Sequence, residues 1–138
     1  MANPRVLEVV ALRNSASYRA AEALRQKKFG GGKAAKKITI KQGTPEYAAL
    51  RLLIGTWDSI GHQILSLAEP ARVEFYETNP VGYMWNLLKA AIQEIRRELG
   101  NHYAKNFEEL YAAYDRWLQT QPPAYQTGAG NGMTAQFG

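Results

Sequence analysis

The chain contains no cysteine. That absence excludes a disulfide scaffold, a thiolate zinc site, an iron–sulfur cluster and a cysteine nucleophile. Histidine occurs only at His62 and His102, too few imidazoles for most zinc sites. No uncharged apolar run approaches the roughly 18–20 residues of a membrane span. The opening stretch MANPRVLEVVALRNS lacks a long apolar core and a small-residue cleavage site, so no secretory signal is expected and the expected compartment is the cytoplasm. No serine stands in a Gly-x-Ser-x-Gly elbow. Gly30-Gly31-Gly32-Lys33 has neither the spacing of a phosphate-cradling loop nor a preceding strand. No catalytic residues, cofactor or metal are expected.

Acidic residues are scarce at one end. Residues 1–43 hold ten Lys or Arg against two Glu, whereas residues 44–138 hold seven basic and ten acidic side chains. The net charge of +5 thus hides a basic N-terminal third on a mildly acidic body. Such asymmetry points to a polyanion or an acidic partner. Its centre is Arg25, Lys27, Lys28, Lys33, Lys36, Lys37 and Lys41, broken only by uncharged residues. Phosphate contacts need positive charge and reach. Phe29 is the one aromatic there, so interleaved base stacking is not supported. The segment reads as a contact for an acidic protein or another subunit. The alternative is nucleic-acid backbone binding through residues 25–41, and the plainest reading is a solvated linker.

At 138 residues the chain is one domain's worth. Asn3-Pro4 starts a first helix, expected over residues 4–28 with a thin apolar stripe. Three glycines then form a hinge, and Lys37 to Lys41 alternates as a strand would, without a partner in its own chain. Thr44-Pro45 opens the most legible helix, whose seam is Tyr47, Leu50, Ile54, Trp57, Gly61 and Ile64, widened by Leu53 and Ile60. Gly55 and Gly61 inside it suggest close approach of a neighbouring helix. Pro70 to Glu77 makes a short helix. Asn79-Pro80 looks like a third cap, before a helix ending at Gly100. Asn106 with Glu109 resembles a capping box for the last helix. From Thr120 to Gly138 there is no charge, and a tail without packing is expected.

The expected architecture is all-α. A helix over 1–28 and a Gly/Lys-rich hinge or arm over 29–43 precede a bundle of four to five helices over 44–118. A disordered tail over 119–138 follows. A homo-oligomer is expected, because both the lone strand and the thin-striped first helix need a surface to dock on.

Other groups suggest chemistry less strongly. Glu94 and Glu98 share a helix face but lie off its apolar stripe, as a solvated pair would. His62 and His102 are forty residues apart and read as ordinary helix or cap residues. Tyr76, Tyr83, Trp85, Phe107, Tyr111, Tyr114 and Trp117 read as core at helical spacing, or as the wall of a groove. Pro122-Pro123-Ala124-Tyr125 has the Pro-Pro-x-Tyr form taken up by aromatic grooves of small recognition domains.

The run from Thr44 to Leu118 resembles an uncharacterised bacterial family of small helical domains whose members often carry membrane helices before the domain. The resemblance rests on the long apolar helix Tyr47 to Leu67, on Phe75-Tyr76-Glu77, on Trp85-Asn86-Leu87-Leu88 leading to Ile95-Arg96-Arg97-Glu98, and on Asn106-Phe107-Glu108-Glu109-Leu110. This chain departs by having the basic helix and glycine hinge in place of membrane helices. The resemblance implies a helical fold and no catalytic residues.

Overall fold

A computed structural model describes residues 3–29 and 40–123. These residues form helices α1 (Pro4–Val10), α2 (Ala16–Phe29), α3 (Pro45–Leu65), α4 (Glu69–Thr78), α5 (Val81–Leu99) and α6 (Lys105–Gln119), with a 3₁₀ turn at Ala11–Asn14. The protein is all-α, and no strand occurs among the described residues. The glycine hinge, most of the expected strand at Lys37 to Lys41, and the tail beyond Pro123 lie outside them.

Helix α3 is the centre. Leu50, Leu53, Ile54, Trp57, Ile60 and Ile64 are completely or almost completely buried along it, as their steps of three and four require. α2 and α6 make the most extensive contacts with α3, and α5 closes against α6. Val81, Met84, Leu88, Ile92 and Ile95 give α5 its buried face, and Phe107, Leu110 and Tyr114 do so for α6. The rings pack in series. Trp57 stacks on Phe107 at 5.5 Å, Phe107 meets the edge of Trp85 at 5.1 Å, and Trp85 stacks on Tyr111 at 5.4 Å.

Two helix starts match their sequence signals. Asn3 Oδ1 accepts from the Arg5 N–H at 2.8 Å, and Thr44 Oγ1 accepts from the Tyr47 N–H at 3.2 Å, each followed by proline. Two others do not. Asn79 ends α4 and starts nothing. Its amide is buried, donating to the Phe75 carbonyl at 3.3 Å and accepting from Arg13 at 3.3 Å. Asn106 lies inside α6, which begins after Ala104 in the left-handed region, φ 61°. The cap of α6 comes from another helix, because Asp58 of α3 accepts the Phe107 N–H at 3.0 Å and the Asn106 amide at 3.4 Å. Gly100 does end α5, with φ 96°.

The N-terminal third differs most from expectation. The single helix over 4–28 is broken by the 3₁₀ turn and by Ser15, which is extended and accepts the Tyr18 N–H at 3.0 Å. Asn14-Ser15 therefore restarts the chain as a second cap. The break resets the helical phase, and the buried face of α2 becomes Tyr18, Ala21 and Arg25. Val6, Val9, Tyr18 and Ala21 belong to the same core as α3, so α1 and α2 are bundle helices and not an arm preceding a bundle over 44–118. The Tyr18 hydroxyl accepts from the Trp57 indole at 2.9 Å, and the Asn3 backbone N–H meets both Glu74 oxygens at 3.1 and 3.0 Å.

The two helical glycines divide. A Cβ at Gly61 would lie 2.5 Å from the Asn106 carbonyl oxygen, so glycine lets α3 and α6 touch backbone to backbone. A Cβ at Gly55 would meet nothing within 4 Å. Close helix approach explains Gly61 alone.

Candidate functional site

The connection between α2 and α3 is the most concentrated charge feature in the chain. No Asp or Glu occurs between Glu22 and Glu46, and the seven candidate cations all fall there. The structure separates them. Arg25 is only 4% exposed and pairs with Glu22 at 3.2 Å, because the reset phase of α2 turns it inward. It is a structural residue and is withdrawn from the contact set. Lys27 and Lys41 are exposed. Lys28 is half exposed and bridges to Glu46 at 3.6 Å, tying the end of α2 to the first turn of α3. Lys33, Lys36 and Lys37 lie outside the described residues.

Both ends of the connection are anchored. Phe29 and Ile40 pack against the hydrophobic core. The Lys41 carbonyl accepts from the Thr44 hydroxyl at 2.6 Å, just before α3 begins. The connection thus leaves and re-enters the bundle within the reach of one ion pair. Lys27 and Lys28 thus stand where the connection leaves α2, and Lys41 where it rejoins the bundle before α3.

The remaining candidates are not brought together. Glu94 pairs with Arg97 at 3.6 Å, and Glu98 accepts from Gln42, so the two carboxylates are engaged on a solvated face. His62 and His102 are both exposed. No group of three His, Asp or Glu among the described residues is placed to hold a metal ion. Of the aromatic set, Tyr76, Phe107 and Tyr114 are buried, and Tyr83, Trp85, Tyr111 and Trp117 pack against the core. Pro122 and Pro123 follow the end of α6, whereas Tyr125 lies outside the described residues. No helix among the described residues is long and apolar enough to cross a membrane.

Two features escaped the sequence. Arg13 lies over the Trp57 ring at 4.9 Å and over Tyr18 at 6.0 Å, making a cationic lid on the core. Burial pushes the Tyr18 hydroxyl pKa up, opposed by Arg13 and by its bond with Trp57. The second is an open groove of about 480 Å³ between the 3₁₀ turn and α3, edged by Leu12 and Leu52 with Gly55 in its floor. The uncontacted glycine was its only signal. Arg51 stands at the groove's edge, with its guanidinium donating to the Tyr47 hydroxyl at 3.2 Å and lying 5.1 Å over the Tyr103 ring.

No protein-family model, curated protein or solved structure matches this chain.

Proposed function

We propose that this protein is a non-enzymatic helical binding module whose lysine-rich α2–α3 connection docks an acidic partner. The observation that carries the reading is the acid-free segment between Glu22 and Glu46, anchored at both ends by Phe29 and Ile40. Without Arg25 the contact set is Lys27, Lys28, Lys33, Lys36, Lys37 and Lys41. The partner is an acidic protein surface. A second copy of this chain is one such surface, because residues 44–138 carry more acidic than basic side chains.

Light scattering at low and physiological salt tests the reading, with and without duplex DNA. Self-docking through lysines predicts a mass above 15.4 kDa at low salt that falls as salt screens the contact. It also predicts reversion to monomer when Lys33, Lys36 and Lys37 become Ala. Docking on a different acidic protein predicts saturable, salt-sensitive capture of that protein, lost in the same variant. Nucleic-acid binding is the alternative outcome. Four to six phosphate contacts would give a slope of roughly −3.6 to −5.4 in log affinity against log salt, independent of sequence. A chain that stays monomeric, ignores DNA near 50 mM salt and captures nothing acidic would leave the segment a linker and overturn the proposal.

A further inference from the structure

A cleft of about 290 Å³ lies between α4 and α6, and none of the described residues of the lysine-rich connection lines it. Arg72 enters it from α4 and Arg116 from α6. Among the described residues neither arginine takes part in an ion pair. An (i, i+3) carboxylate at Glu69 lies on the same rim and does not close on Arg72. The remaining wall is aromatic. Tyr76 is buried and packs on Trp117 at 5.4 Å and on Tyr114 at 5.8 Å. Trp117 is itself held against Tyr114 at 6.0 Å and is only partly buried, so part of its indole remains on the cleft. The wall is fixed before any ligand arrives, which reduces the ordering cost of binding.

Electrostatics point the same way. Burial raises the Tyr76 hydroxyl pKa, while Arg72 and Arg116 both act to lower it, so both positive fields reach the same atom. Helix α4 begins at Glu69 on the rim, but the Ala71 and Arg72 N–H groups both donate to the Ala68 carbonyl, so the two guanidiniums carry the positive charge of the cleft. Two terms oppose an anion. Glu69 carries negative charge on the rim, and α6 ends nearby, where Arg116 offsets the negative end of that helix.

We infer that the α4–α6 cleft binds a small aromatic oxyanion, with Arg72 and Arg116 clamping a phosphate or carboxylate group and Trp117 and Tyr76 flanking its ring. The planar fork of a guanidinium donates two parallel N–H bonds to a pair of oxygens on either oxyanion and stacks on rings, whereas an ammonium does neither. This site is independent of the lysine-rich connection, and its ligand is not a macromolecule.

The test is a titration of the full chain, labelled with ¹⁵N, with phenyl phosphate, benzoate, inorganic phosphate and benzyl alcohol. Saturable shifts are expected at the Trp117 indole N–H and in the first turn of α4 with one or both aromatic anions, and the comparison of phenyl phosphate with benzoate identifies the oxyanion. Inorganic phosphate should bind more weakly than phenyl phosphate, and neutral benzyl alcohol should not saturate. Arg72→Gln and Arg116→Gln should each weaken binding about tenfold or more, the loss of one charge-assisted hydrogen bond. Glu69→Gln should tighten it about two- to fivefold, by removing a surface repulsion. Glu69 and Arg116 are exposed and Arg72 is partly exposed, so the spectra outside the cleft should stay unchanged. The inference is overturned by no saturable shift up to about 10 mM of either aromatic anion, or by equal binding by the arginine variants and the parent. Shifts confined to Lys27 and Lys41 would also overturn it, by assigning anion binding to the other site.

Discussion

Gly55 and Gly61 lie in one helix, and replacing each by alanine should move stability in opposite directions. In a helix interior alanine is favoured over glycine by about 0.5–1 kcal/mol. At Gly55 nothing opposes that gain, because the added Cβ meets no atom within 4 Å. Gly55→Ala should therefore stabilise by about 0.5–1 kcal/mol, a rise in Tm of about 2–4 °C for a domain of this size. At Gly61 the added Cβ falls 2.5 Å from the Asn106 oxygen, 2.8 Å from its carbonyl carbon and 3.2 Å from the Phe107 nitrogen. These are backbone atoms and cannot rotate away. Normal carbon contacts are about 3.5–4.0 Å, so α3 and α6 must separate by about 1 Å where they cross. Overpacking of this kind costs about 1–3 kcal/mol. The same displacement pulls the Phe107 N–H away from Asp58, now at 3.0 Å, and a hydrogen bond to a charged group contributes about 1.5–3 kcal/mol. After the helix-propensity gain is subtracted, Gly61→Ala should destabilise by about 2–4 kcal/mol, a fall in Tm of about 8–15 °C. Thermal and urea unfolding followed by circular dichroism reads both variants. A Gly61→Ala protein as stable as its parent would show that α3 and α6 do not cross here. A destabilised Gly55→Ala protein would show that the groove beside Gly55 is filled.

Four further outcomes follow from the same packing. Asp58→Ala should cost about 1–2 kcal/mol and speed amide exchange at Phe107 first, since it removes the side-chain cap at the N-terminus of α6; unchanged protection at Phe107 would contradict this. Deleting residues 1–28 should abolish cooperative unfolding of the remainder, because Val6, Val9, Tyr18 and Ala21 fill its core, and a sharp melt of the truncated chain would show that residues from 44 onward fold alone. Burial raises the pKa values of Tyr18, Tyr76, Tyr103 and Tyr111. Below pH 10, the ordinary tyrosine value, their contribution to stability is complete. It is lost as pH rises through the higher folded values. The urea midpoint should thus drop above about pH 10, less so in Tyr18→Phe, and a flat profile to about pH 11 would refute the argument. At neutral pH Tyr18→Phe should cost about 1–3 kcal/mol by leaving the buried Trp57 indole N–H without its acceptor.

Interactions within about four residues were legible in the sequence. Asn3-Pro4 and Thr44-Pro45 cap α1 and α3 as their residue types require, and Gly100 ends α5. The seam of α3 is buried as its spacing predicts, and the helical class follows from it. What the sequence left undetermined spans greater distances. Asp58 caps a helix that starts 47 residues later, and no local motif records that. Asn79 carries the signature of a helix start, but its amide is drawn into the core by Arg13 and the Phe75 carbonyl. The apolar stripe running on across Asn14-Ser15 predicted one helix, and the break there came to light only in the structure. Only docking on α3 turned Tyr18, Ala21 and Arg25 inward. Arg25 shows the consequence for function, because charge is a property of the sequence whereas exposure is a property of the packed helix. Gly55 and Gly61 are the same residue in the same helix. The backbone of α6 lies against one and open space against the other, and that difference exists only in three dimensions.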